Sequence, residues 1–360
     1  MKIGFIGFGE VNTPKDVIIR KCDEALDVLS ELNCEIVTTA PVTDDEEYAD
    51  AKRAISELSG HNFDALIVCL AGWIPTHAVI KVIDKFRHTP MVLWGLCGWR
   101  EGDRIVSTAD QAGTTALRFT MQDMGYTFRF VYSVIDKAPP IEEIKAYVTA
   151  AYAANKLRDA RIGTMGYRDM LLYSTMFDGL SLRREIGIEV EPFEMLEMYL
   201  EAAKIDEEEI KKGIAFVRDK FVFTSECPDE PIEQAVRYAL AISNKIKRRG
   251  YDAISLIDVD GMKKLLGIPP SMIFMLCDLY TGVSTIPEND IMGSVTQLMV
   301  RYATGQIASY AEFYEFFEDS VLMGVPDFIP REVTLGDAVI KPSTFGLLST
   351  SLLNVSKYRD

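Results

Sequence analysis

Short apolar runs rich in β-forming residues alternate along most of this chain with longer stretches of helical period, and a chain patterned this way points to a parallel sheet with crossover helices. "KIGFIGF" (2–8), "EIVTTA" (35–40), "DALIVCL" (64–70), "MVLWGL" (91–96) and "TFRFVYS" (127–133) read as strands. Between the first two, "PKDVIIRKCDEALDVLSELN" opens with Pro14 near a helix N-terminus and carries apolar residues at i, i+3, i+4 and i+7. These elements make a first α/β domain over 1–150.

The stretch "DKAPPIEEIKAYVTAAYAANKLRDA" begins with a Pro pair and becomes a long Ala-rich helix suited to connecting domains. The pattern then restarts. "RIGTMGY" (161–167), "GIEVEPF" (187–193), "DAISLID" (252–258) and "VSTIPE" (283–288) read as strands, and the helix "PIEQAVRYALAISNKIKRRG" (231–250) closes on Gly250. The acidic "AAKIDEEEIKKGIAF" reads as a solvated helix face. A second α/β domain thus covers 151–308, and the similar openings "KIGFIGF" and "RIGTMGY" hint at two related Rossmann-like domains in tandem. From 309 to 360 the sequence turns β-rich and aromatic and stops in mid-pattern, as expected of a barrel-like C-terminal domain that has only begun.

Composition sets the outer limits. The 360 residues are 48% hydrophobic and 26% charged, with no stretch near the roughly 18 consecutive apolar residues of a membrane span. A net charge of −16 disfavours nucleic acid and anionic membranes as partners, since both need a basic face. The opening "MKIGFIGFGEVNTPKD" lacks the features of a signal peptide, so the cytoplasm is expected. Six scattered cysteines, with no C-x-x-C, fit reduced and buried thiols. Three histidines, all before residue 100 and none in H-E-x-x-H spacing, argue against a histidine-built zinc site.

Several stretches carry candidate chemistry. Gly7 and Gly9 follow a strand and precede a helix, but Asn12 stands where a dinucleotide fingerprint needs its third glycine, and no acid ends the second strand. Trp73 in "LAGWIPTH" and the group Trp99, Arg100, Asp103 and Arg104 follow strands at the carboxyl edge where open α/β sheets bind ligands. Gln111, just before a helix, is a candidate ligand contact, with capping as the alternative. Asp258 and Asp260 are spaced i, i+2, which in an extended chain puts both on one side, to bind sugar hydroxyls or help hold a metal; turn formation before Gly261 competes. The sharpest pair is Glu288, at the end of "STIPE", and Glu312, among the aromatics of "YAEFYEFF". Brought together, two such carboxylates would suit a hard divalent ion such as Mn²⁺ or Mg²⁺.

The stretch 231–325, above all "NKIKRRGYDAISLIDVDGMKKLLGIPPSMIFMLCDLYTGVSTIPENDIMGSVTQLMVRYATGQ", resembles the L-fucose isomerase and L-arabinose isomerase family, and 1–230 is consistent with that family's two α/β domains. The resemblance implies an aldose–ketose isomerase acting on a fucose- or arabinose-like sugar through a metal-stabilised cis-enediol. It makes Glu288 and Glu312 both Mn²⁺ ligands and acid/base groups, and Trp73 a substrate-stacking residue. Gln111, Asp258 and Asp260 are then candidates for substrate contact. It further implies a homo-oligomer, trimer or hexamer. The family's late histidine ligand has no counterpart after His88, so water and substrate would complete the ion's shell. A non-catalytic sugar-binding protein on the same fold is the competing expectation.

Overall fold

The alternating pattern folds into α/β units built on parallel sheets, seen here in a computed structural model that describes residues 1–223, 225–268, 270–325, 329, 330, 333, 339–342 and 350–353. The chain divides into two compact units, Met1–Asn155 and Lys156–Asp360.

In the first unit, strands β1 (Lys2–Phe8), β2 (Glu35–Thr38), β3 (Ala65–Leu70) and β4 (Met91–Gly95) are joined through helices α1 (Lys15–Leu29), α2 (Ala49–Leu58) and α3 (Thr76–Ile83). A short antiparallel hairpin, β5 (Trp99–Glu101) with β6 (Arg104–Val106), follows β4. Then come α4 (Asp110–Asp123), β7 (Phe128–Tyr132) and α5 (Ile141–Asp159), and the boundary between the units falls within α5. The sheet order is β2-β1-β3-β4-β7, every pair parallel. Central β3, "ALIVCL", is buried at all six positions because both of its faces are covered. Leu66, Val68 and Leu70 pack with α2, α3 and α4 through residues such as Ala51, Val79 and Leu117. The alternate residues Ala65, Ile67 and Cys69 share a second core with Ile18 of α1 and Val148 of α5.

The second unit repeats the plan. Strands β8 (Arg161–Met165) and β9 (Glu189–Phe193) flank α6 (Gly179–Glu185). Helices α7 (Met195–Ala202) and α8 (Glu207–Lys220), strand β10 (Val222–Phe223) and helix α9 (Asp229–Arg249) lead to β11 (Ala253–Leu256). A π-helical turn, Asp258–Lys263, runs into α10 (Lys264–Leu266), followed by α11 (Ser271–Thr281), β12 (Ser284–Ile286) and α12 (Ile291–Thr304). The order is β12-β11-β8-β9, again all parallel, so in both sheets the unit's first strand lies between its second and third. Gly250 ends α9 in the left-handed conformation expected of it (φ 66°).

The acidic helix expected only as a solvated face is more than that. In α8 the first-turn acids complement the helix dipole, while Ile210, Gly213 and Val217 are buried. A Cβ on Gly213 would come within 2.3 Å of Val236 Cγ1, so the glycine is what lets α8 approach α9. Beyond α12, β13 (Glu312–Phe316) and β14 (Val321–Gly324) form an antiparallel hairpin. Strand β15 (Val339–Pro342) pairs in parallel with β10 and antiparallel with β16 (Thr350–Leu353). Most of the remaining segment on which a barrel-like domain was expected lies outside the described residues. Among the described residues no helix is long and apolar enough to cross a membrane.

All six cysteines are free thiols, and Cys22, Cys69, Cys227 and Cys277 are buried. Burial pushes the Cys22 and Cys277 thiols up to about 12 and the Cys69 thiol well above its ordinary value. Cys34 and Cys97, half-buried, are raised less. Iodoacetamide at pH 8 is therefore expected to modify Cys34 and Cys97 but not Cys22, Cys69 or Cys277 in the native protein, more slowly than a free thiol and faster as pH rises, because a raised pKa leaves less thiolate. Peptide mapping checks this, and rapid native labelling of Cys69 would contradict it.

Candidate functional site

The carboxyl ends of β8, β11 and β12 lie side by side, the position at which open parallel sheets bind ligands. Several acids with very different surroundings lie along this edge.

Asp169, in the loop after β8, is fully buried. Its Oδ2 accepts the Val259 N–H at 2.7 Å, and its Oδ1 accepts the N–H groups of Asp260 at 2.7 Å and Met170 at 3.0 Å. The carboxylate thereby satisfies donors at the start of the π-helical turn that follows β11, as a cap does for an ordinary helix. Asp258, also fully buried, accepts the Glu288 N–H through Oδ1 at 2.6 Å, and its Oδ2 lies 3.9 Å from Lys263 Nζ.

That bond helps hold an unusual turn. Strand β12 stops at Ile286, and Glu288 and Asn289 are both left-handed (φ 62° and 56°), a conformation costly for residues other than glycine. Asparagine tolerates it best, and Asn289 is anchored in three ways. Its side-chain amide donates to Thr164 Oγ1 at 2.9 Å and to the Met165 carbonyl at 2.8 Å, while its backbone N–H reaches the Leu256 carbonyl at 3.2 Å. One residue after β12 thus ties the ends of β11 and β8. Its Oδ1, buried with the rest of the side chain, has no hydrogen-bond partner among the described residues. Asp290 then caps α12, its Oδ1 accepting the Gly293 N–H at 2.8 Å.

Glu312 opens β13, and Tyr310 lies two residues before it. Burial raises the Tyr310 hydroxyl well above the usual tyrosine range, and the charges of Asp290, Glu288 and Glu312 push it the same way, with a hydrogen bond to Asp290. The hydroxyl stays protonated among three carboxylates. Gly293 makes room for this: a Cβ there would sit 2.8 Å from Asp290 Oδ2 and 3.3 Å from the Tyr310 ring.

The residues singled out in the sequence fare differently. Glu288 and Glu312, separated by 24 positions (312 − 288), both bear on Tyr310, although Glu288 belongs to a left-handed turn and not to the strand. Asp258 and Asp260 do not share one side of an extended chain, because β11 ends at Leu256 and both lie in the π-helical turn capped by Asp169. Asp258 is buried against backbone, whereas Asp260 is partly exposed and accepts Lys264 Nζ at 2.6 Å. In the first unit, Gln111 spends its amide nitrogen on the carbonyls of Gly95, Leu96 and Ser133, at 3.0, 2.7 and 3.2 Å, which ties the ends of β4 and β7. Its role is that of a clamp, with only Oε1 left to accept from a ligand. Trp73 lies past the carboxyl end of β3, 39% exposed, its backbone fixed by Glu10 and Thr108. Asp169, Asn289 and Tyr310 were not anticipated; the left-handed tolerance of asparagine directly before the Asp290 cap was the one local signal available for them.

Among the described residues no three His, Cys, Asp or Glu side chains are grouped as ligands for one metal ion. No family model and no curated protein matches the chain. Solved structures with some similarity include a periplasmic solute-binding protein of an ABC transporter from Actinobacillus succinogenes 130z with bound D-allose. It is 12% identical, with 92% of this chain and 98% of that chain covered, and its TM-score of 0.20 is too low to bear on function.

Proposed function

We propose that the acidic edge of the second sheet binds a small sugar and that the chain is an aldose–ketose isomerase on tandem Rossmann-like domains, dependent on a divalent cation. The observation that supports this reading is that the charges of Asp290, Glu288 and Glu312 all act on the Tyr310 hydroxyl, which burial already raises. Isomerisation requires a proton to leave C2 of the open-chain sugar and another to arrive at C1, and paired carboxylates are suited to that exchange. Glu288 and Glu312 offer hard oxygen donors that fit Mn²⁺ or Mg²⁺, ions that commonly take one or two protein carboxylates and complete their shells with water and substrate oxygens. When bound, such an ion would polarise the sugar carbonyl as a Lewis acid. The chain's own part is to hold the two acids in place and to remove and return the proton. Tyr310, kept neutral, gives its one O–H to Asp290, which also caps α12.

A metal-independent sugar-binding protein is the second reading, favoured by the commitment of Asp258 and Asp290 to backbone donors. Calorimetric titration with Mn²⁺, together with an aldose panel followed for ketose, separates the two. The isomerase reading expects Mn²⁺ affinity to fall at least about tenfold in Glu312→Ala, the loss of roughly one charge-assisted contact, and ketose to form only with metal. Sugar binding that is indifferent to chelator, with no ketose formed, would support the second reading instead.

A further inference from the structure

The first unit contains a cavity of about 150 Å³ that the acidic edge of the second unit does not use. It lies over the end of β4, walled by one face of α1 and by the segment that leads from β7 to α5. This is again the carboxyl edge of a parallel sheet. A cavity of about this volume holds a molecule the size of benzene, so its ligand has a short body of about six to eight non-hydrogen atoms.

The lining sets the ligand's chemistry. Trp94, only 1% exposed, donates its indole N–H to Ser133 Oγ at 3.0 Å, so its polar atom is satisfied and the rest of the ring is apolar wall. Ala25, Val28 and Leu96 extend that apolar surface. The charges around it are unevenly matched. Glu24 has Arg20 at 4.0 Å, and Asp136, beside the wall, pairs with Arg100 at 2.7 Å. The ammonium of Lys21 is bonded to Asp110 and, at 2.9 Å, to Thr108. Lys137 lines the cavity, is exposed, and has no acidic partner among the described residues. An apolar pocket with one uncompensated ammonium on its rim selects a molecule with an apolar body and a single negative charge.

We propose that this cavity binds a small organic monocarboxylate, its hydrocarbon body against Trp94 and its carboxylate at Lys137. The site is separate from the sugar site proposed above and stands or falls independently of it.

The chain has three tryptophans, so 5-fluorotryptophan labelling gives three ¹⁹F resonances, assignable by single Trp→Phe substitutions. Titration of the full chain with pentanoate is expected to shift the Trp94 resonance saturably. Pentanamide, of the same size but uncharged, should bind about tenfold more weakly, in line with loss of one charged contact. Lys137→Gln, an exposed change that leaves the fold in place, should bring pentanoate down to the level of pentanamide. The proposal is overturned if pentanoate leaves Trp94 unmoved, if acid and amide bind alike, or if the preference for the acid survives Lys137→Gln.

Discussion

Glutamine in place of Glu288 is expected to abolish metal-dependent aldose isomerisation with the fold intact, and glycine there is expected to do the same while making the protein more stable. The backbone explains the second result. Glu288 has φ 62°, and the left-handed conformation costs a residue with a Cβ about 1–2 kcal/mol that glycine does not incur. Glycine gives back about 0.4–1 kcal/mol through its freer unfolded chain. The bond to Asp258 is made by the backbone N–H and survives either substitution. A net gain of about 0.5–1 kcal/mol follows, readable as a higher urea midpoint at unchanged slope. Retained turnover in Glu288→Gln would remove this residue from the chemistry. A destabilised Glu288→Gly would mean that the side chain supports the fold by more than its turn costs.

The other large effect lies in the first unit. Lys21 and Asp110 form an ion pair whose side chains are 5% and 2% exposed, joined by the Lys21 bond to Thr108 Oγ1, which in turn donates to the Ala71 carbonyl at 2.7 Å. Lys21→Ala or Asp110→Ala leaves the surviving charge buried without its partner and is expected to cost about 3–5 kcal/mol. Replacing both, as Lys21→Met with Asp110→Leu, removes the desolvated charges together and should leave stability within about 1 kcal/mol of the parent. Urea unfolding of the two single variants and the double variant forms the cycle. Single losses below about 1 kcal/mol would show that water reaches the pair.

Much of the framework was legible in the sequence because it rests on local pattern. Strands such as "ALIVCL" declare themselves by continuous apolar runs, and Gly250 by its place after a helical period. The hairpin β5–β6 was less visible: its strands are only three residues each and half of their residues are charged, turning on Gly102 in the left-handed region. Within the candidate site, the acids were legible but not what holds them. Asp169 reaches its backbone partners across some 90 positions, and Asp258 reaches Glu288 across 30, separations that leave no trace in periodicity. The i, i+2 argument for Asp258 and Asp260 failed for the same reason, since the cap that winds their segment comes from another strand's loop. The clamp made by Gln111 was not legible, because an amide at a helix start looks the same in sequence whether it faces a ligand or three carbonyls.

The triple anchoring of Asn289 sets what this edge of the sheet will tolerate. Because Asn289 bonds β11 through its backbone and β8 through its side chain, a change in the two residues between Ile286 and Asn289 is expected to pull it away from Thr164 and Met165. The loop after β8 is tied down in the same way by Asp169, so room for change at this edge is confined to exposed positions such as Tyr167 and Tyr173. The acids sit on a fixed bracket.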